Sequence, residues 1–202
     1  MSKPQSEADL KTRVLALKET LEEFYLRRNK QLRSYEEPAS LNPTLSEAKL
    51  SQFEAQHGFS LSPEYRAYLK YLSNGLESPV GLFPLEKSYP LNRSGLSDED
   101  KLKAFAKVGL PFPYREEERE QHKEQFEALG GWGSSAAEDH GRQGALILAD
   151  DGCDQLTLLE VTGENPDRLW FDDMANESFL YPIADSFLDW LTALTQRALA
   201  EL

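Results

Sequence analysis

The run from residue 145 to residue 161 limits the fold more than any other part of the chain. Five apolar residues, Ala145 to Ala149, lead into Asp150-Asp151-Gly152, and Leu156, Leu158, Leu159 and Val161 follow. Two short apolar runs around an Asp-Gly turn predict a β-hairpin. A hairpin alone is marginal in water, so further strands and a covering layer must complete it. After the turn-forming Gly163-Glu164-Asn165-Pro166, residues 168–171 supply a third strand. Asp185 or Ser186 then caps a closing helix that carries Phe187, Trp190, Leu191 and Leu194 on one side.

Upstream of the hairpin the apolar period is helical. Over residues 8–32, Leu10, Val14, Leu17, Leu21, Phe24 and Leu32 share one side, interrupted by Arg28, and the basic residues gather at the C-terminal end, where the helix dipole favours them. Such a helix is either a short coiled-coil arm or an element packed on its own domain. Residues 36–43, with Pro38 and Pro43, read as a linker. Thr44-Leu45-Ser46-Glu47 has the form of a capping box, opening a helix that turns Leu45, Leu50 and Phe53 inward and stops at Gly58. Ser62-Pro63 starts a second helix over residues 63–73, burying Tyr65, Tyr68, Leu69 and Leu72 and ending at Asn74-Gly75. Residues 80–85, broken by Gly81 and Pro84, suit a short edge strand. Residues 97–108 and 115–129 are charged enough to predict surface helices, and residues 130–135 form a glycine-rich loop around Trp132, a ring that either anchors a partner or folds back on the core. The sum is an α+β fold: N-terminal helices, a central mainly antiparallel sheet and a closing helix. The expected division is a helical extension and linker at 1–41 and a domain at 42–202 that contains a charged insertion at about 97–143.

Charge narrows the partners. The formal net charge is -13, and residues 150–202 hold twelve acids against only Arg168 and Arg197. Phosphate neutralisation needs a lysine- and arginine-rich face, so direct nucleic-acid binding is not expected, whereas a basic protein would be attracted. Plain solubility is the other use of such a surface. The beginning MSKPQSEADLK lacks the apolar stretch of a secretory signal, and no run approaches the roughly 18 apolar residues of a membrane span, so a cytoplasmic protein without membrane insertion is expected. Cys153 is the single cysteine; pairing it with His140 or His122 as a nucleophile has nothing else behind it, and packing as a small hydrophobe is the expectation. The three histidines, His57, His122 and His140, show no ligand spacing, the acids of residues 150–154 lack the spacing of a calcium loop, and Gly130-Gly131-Trp132-Gly133 is not a phosphate-binding loop. No metal, no cofactor and no catalysis are expected.

Three segments in order carry a resemblance. FEAQHGFSLSPEYRAYLKYLSNG at 53–75, GLFPLEKS at 81–88, and ALILADDGCDQLTLLEVTG at 145–163 with DRLWFDD and SFLDWL after it resemble the SMI1/KNR4 family, also called the SUKH superfamily. Cys153-Asp154 departs from the Gly-Asp that many members carry after the turn. The resemblance implies a binding module rather than an enzyme. Bacterial members are commonly immunity proteins that neutralise a secreted or contact-delivered toxin, many of them nucleases, while fungal relatives resemble regulators of cell-wall synthesis and signalling. The leading expectation is therefore an immunity protein that occludes the active site of a basic toxin domain with an acidic surface. The alternative is a regulatory or scaffold adaptor of the same fold, docking through Leu17, Leu21 and Phe24. The residues expected to meet the partner are Asp150, Asp151, Asp154, Asp172 and Asp173, held outward by turns beside strands, together with Trp132.

Overall fold

The structure, a computed structural model, describes residues 5–32, 38–89, 97–131, 133–153, 155–173 and 179–202. The first helix, α1, spans Glu7–Lys30 and opens on a capping box in which the Ser6 hydroxyl accepts from the Asp9 amide and the Asp9 carboxylate accepts from the Ser6 amide. Its stripe of Leu10, Val14, Leu17, Leu21 and Phe24 is buried. Of the two readings of this helix, packing on its own domain is the observed one. Helix α2, Glu47–His57, is capped by Ser46, whose hydroxyl accepts from the Lys49 amide, and not by Thr44 two residues earlier. Gly58 ends it in the left-handed conformation, φ 75°, as its position implied. Helix α3, Pro63–Tyr71, has proline in its first turn and buries Tyr65, Tyr68 and Leu69.

Residues 80–85 are not a strand. Leu76 and Leu82 make one isolated antiparallel bridge, and Leu85–Lys87 wind into a 3-10 turn behind Pro84, which has no amide to give to a ladder. The segment nonetheless lies along the sheet, because the Phe83 amide donates to the Leu148 carbonyl at 2.7 Å and the Ile147 amide to the Ser88 carbonyl at 3.1 Å.

Helices α4 (Asp98–Val108), α5 (Arg119–Ala128) and α6 (Ser135–Arg142) precede the sheet. The sheet holds β1 (Ala145–Gly152), β2 (Gln155–Glu160), β3 (Leu169–Asp173) and β4 (Phe179–Ala184), in that order and antiparallel throughout, and α7 (Phe187–Ala200) closes the chain from an Ser186 cap. The α+β reading holds. Helix α6 and strand β4 were not foreseen.

The sheet is covered on both faces. Leu146, Leu148, Leu159 and Leu169 pack with the stripe of α1, with α3 and with Phe187, Leu188 and Leu191 of α7. The other face presents Ala145, Ile147, Leu156, Leu158, Trp170 and Leu180 to Phe112, Tyr114, Phe126 and Ala137. The helices expected at the surface in residues 97–129 do lie there, α4 over Asp98–Val108 and α5 over Arg119–Ala128, and each keeps a few residues buried on one side. Phe105 and Val108 of α4 enter the first core, and Phe126 of α5 helps close the second. Charge is dense in these helices, but Ala104, Phe105 and Val108 bury one side of α4, and Phe126 with the ring of His122 anchors α5.

Candidate protein-binding surface

At the far end of β1 burial stops abruptly: Ala145 to Ala149 are buried and Asp150, Asp151 and Gly152 are exposed. The turn is tight, with Gly152 at φ 87° and Cys153 at φ 54°. The first two carboxylates are exposed and also oriented. Asp150 accepts from the Gly152 amide at 2.9 Å, and Asp151 accepts from the Thr157 hydroxyl at 2.8 Å. Each keeps further acceptor positions toward solvent. Cys153 is exposed, which corrects the expectation that it packs as a small hydrophobe. Asp154 and Trp132 lie outside the described residues.

Asp172 and Asp173 are corrected in orientation, because β3 runs two residues further than expected and places both in a ladder instead of a turn. Asp172 shares the face of Trp170 and is fully buried. Arg142 donates to it at 2.8 Å, with the two side chains 5 % and 0 % exposed. Such a carboxylate cannot reach a partner. Asp173 turns to the opposite face, is 7 % exposed, and accepts from the Gln155 side chain at 2.7 Å. Of the expected acids, Asp150 and Asp151 thus stand together at the hairpin tip, Asp173 lies beneath them beside Gln155, and Asp172 belongs to the interior.

A carboxylate relay that sequence reasoning missed holds the scaffold in place. Ser62 gives α3 no side-chain cap. Asp167, at φ 77°, does so from the β2–β3 connection, accepting from the Glu64 amide at 3.0 Å and the Tyr65 amide at 3.1 Å. Aspartate tolerates this left-handed conformation better than most residues. Burial raises the Asp167 carboxyl to about 6, against the lowering effect of those amides. Glu64 in turn accepts from the Leu188 amide at 2.9 Å, the Ser186 hydroxyl at 2.7 Å and Arg13 at 2.7 Å, so that α1, α3 and α7 share one buried carboxylate. The local signal was an aspartate just before a strand; its partners lie a hundred residues away.

Beside β4 a small cleft of roughly 70 Å³ is lined by Tyr114, Arg115, Arg119, Trp170, Phe179 and Tyr181 among others. Arg115 at its rim pairs with Glu164. The rings of His122 and His57 are taken up in packing, the first 4.9 Å from Tyr114 and the second 4.4 Å from both Phe53 and Phe105. His122 is buried. Among the described residues no group of three or more His, Cys, Asp or Glu side chains is placed to hold a metal ion, and no helix is long and apolar enough to cross a membrane.

No curated protein sequence and no solved structure matches the chain. A family model does, from residue 44 to residue 193, a span that begins just before α2 and ends within α7 and so takes in the whole sheet. That match covers well over half of the chain, and with the fold it agrees with the order of segments at 53–75, 81–88 and 145–191: the chain belongs to the SMI1 / KNR4 family (SUKH-1).

Proposed function

We propose that this chain is a non-catalytic, cytoplasmic immunity protein that neutralises a cognate toxin domain by laying the acidic β1–β2 tip over its basic active site. Family membership supports a binding role, since the family is generally non-catalytic. The observation that carries the acidic surface is the pair Asp150 and Asp151, exposed at the end of a rigid hairpin and each fixed by an internal hydrogen bond. A nuclease must display a positive cleft, and oriented carboxylates both steer the encounter and give charge-assisted hydrogen bonds in the complex. The adaptor reading keeps the fold but loses its expected docking face, because Leu17, Leu21 and Phe24 are buried in the chain's own core.

The test is co-expression with a toxin domain encoded beside this chain. Protection by the wild type and its loss in the Asp150→Asn, Asp151→Asn double variant support the proposal. Equal protection by both removes the acidic tip from it, and co-purification of a cellular enzyme with both proteins in place of a toxin establishes the adaptor.

A further inference from the structure

The register aligns Ala149, Thr157, Phe171 and Tyr181 in one row across all four strands. The first two are buried, whereas Phe171 and Tyr181 are half-buried and belong to neither core that covers the sheet. Their rings lie 5.5 Å apart at 41°, and Ile183, 38 % exposed, follows along β4. Among the described residues the aromatic pair is thus only partly covered, at one end of a sheet whose faces are otherwise packed, the kind of patch that interfaces use.

The two sides of the pair differ: Tyr181 also lines the cleft of Arg115 and Arg119, where Glu164 neutralises Arg115, whereas the Phe171 side faces acids and defines the occupant. Thr157, next to Phe171 in the row, holds the exposed Asp151 carboxylate, and Asp173, two residues beyond Phe171 on the same face, is held by Gln155. Aromatic faces beside the exposed and oriented Asp151 carboxylate, on a chain of net charge -13, fit a cation, while the buried Asp173 adds only to the negative field. A guanidinium can lie flat on a ring and donate a fork of hydrogen bonds to a carboxylate at once, while an ammonium is a point charge with no plane to stack.

We infer that Phe171, Tyr181 and Asp151 form a seat for an arginine on a basic loop of the partner. This rests on the acidic-surface reading and deepens it, adding a specific contact to a general attraction.

The experiment is an NMR titration of the full chain at low salt with an oligo-arginine and an oligo-lysine peptide of equal length. The arginine peptide should bind about five-fold more tightly, with shifts centred on Phe171, Tyr181 and the hairpin tip. Phe171→Leu and Tyr181→Leu, which keep apolar bulk and remove the ring, should bring the two peptides to equal affinity. Equal affinity for the wild type, or an arginine preference untouched by the leucine variants, overturns the seat. The Asp150→Asn, Asp151→Asn variant separates the two ideas. Equal wild-type affinities that this variant abolishes leave the acidic surface standing without the seat, and a variant that binds both peptides as the wild type does removes both.

Discussion

Arg142 and Asp172 meet inside the second core, where neither charge is solvated. Removing one partner leaves a buried charge, so Arg142→Ala should lower unfolding stability by about 3 kcal/mol in urea denaturation, whereas the double replacement Arg142→Met, Asp172→Leu should cost far less. Asp167 offers a test by pH. Its carboxyl is raised in the folded state, so the folded protein takes up a proton before the unfolded chain does as pH falls. The ionised group therefore costs stability at neutral pH, and that cost begins to lift as pH falls through about 6 and is gone only below the ordinary aspartate value of the unfolded chain. Relative to Asp167→Asn, the wild type should gain about 1 kcal/mol between pH 7 and pH 5, read from paired denaturation curves. Gly144 is constrained by space as well as by φ, 73°: a Cβ there would stand 2.5 Å from the Phe112 backbone nitrogen. Gly144→Ala should lower the melting temperature by several degrees, about the effect of 1 to 2 kcal/mol in a chain of this length.

Helix α1 lies before the matched family span and is nonetheless built into the first core, with Leu17 and Leu21 2 % and 0 % exposed. Leu17→Ala should cost about 3 kcal/mol and shift the chemical denaturation midpoint accordingly, which a detached docking arm would not do. Much of the element order was legible because its signals are local. The α1 stripe, Gly58, Ser62-Pro63 and the Asp150-Asp151-Gly152 turn act within a few residues of where they stand. The failures were contacts that span the chain. β4 carries Pro182 and begins at Phe179 with φ 59°, so it shows neither alternation nor an uninterrupted apolar run, and only pairing with β3 makes it a strand. α6 starts directly after a glycine-rich loop and contains Gly141, so its local preference is poor; Ala137 packed beneath the sheet compensates. The same limit governed the site. Asp150 and Asp151 were readable as turn acids, while Asp172 looked like another until its strand proved longer and its partner, thirty residues upstream, drew it inward.

For the molecule as a whole, the acids of the last quarter are divided by the fold into structural and available ones. Asp167, Asp172 and Glu160 are buried, Glu160 accepting from the Trp170 indole at 3.0 Å, while Asp150, Asp151, Asp185 and Glu164 remain outside. Long-range attraction needs only the total, so association with the proposed toxin domain should slow markedly as salt is raised from about 50 to about 300 mM, in stopped-flow measurements. Asp150→Asn with Asp151→Asn should reduce the association rate modestly, about two- to five-fold, and accelerate dissociation more, because the lost groups are also short-range hydrogen-bond acceptors. The turn that presents these acids carries one more consequence. Cys153 is the single thiol of the chain and is exposed one residue beyond Gly152. A maleimide dye or photoreactive probe would therefore attach at one place without any substitution, at the rim of the surface in question, and the native molecule already carries the handle by which its own docking can be watched.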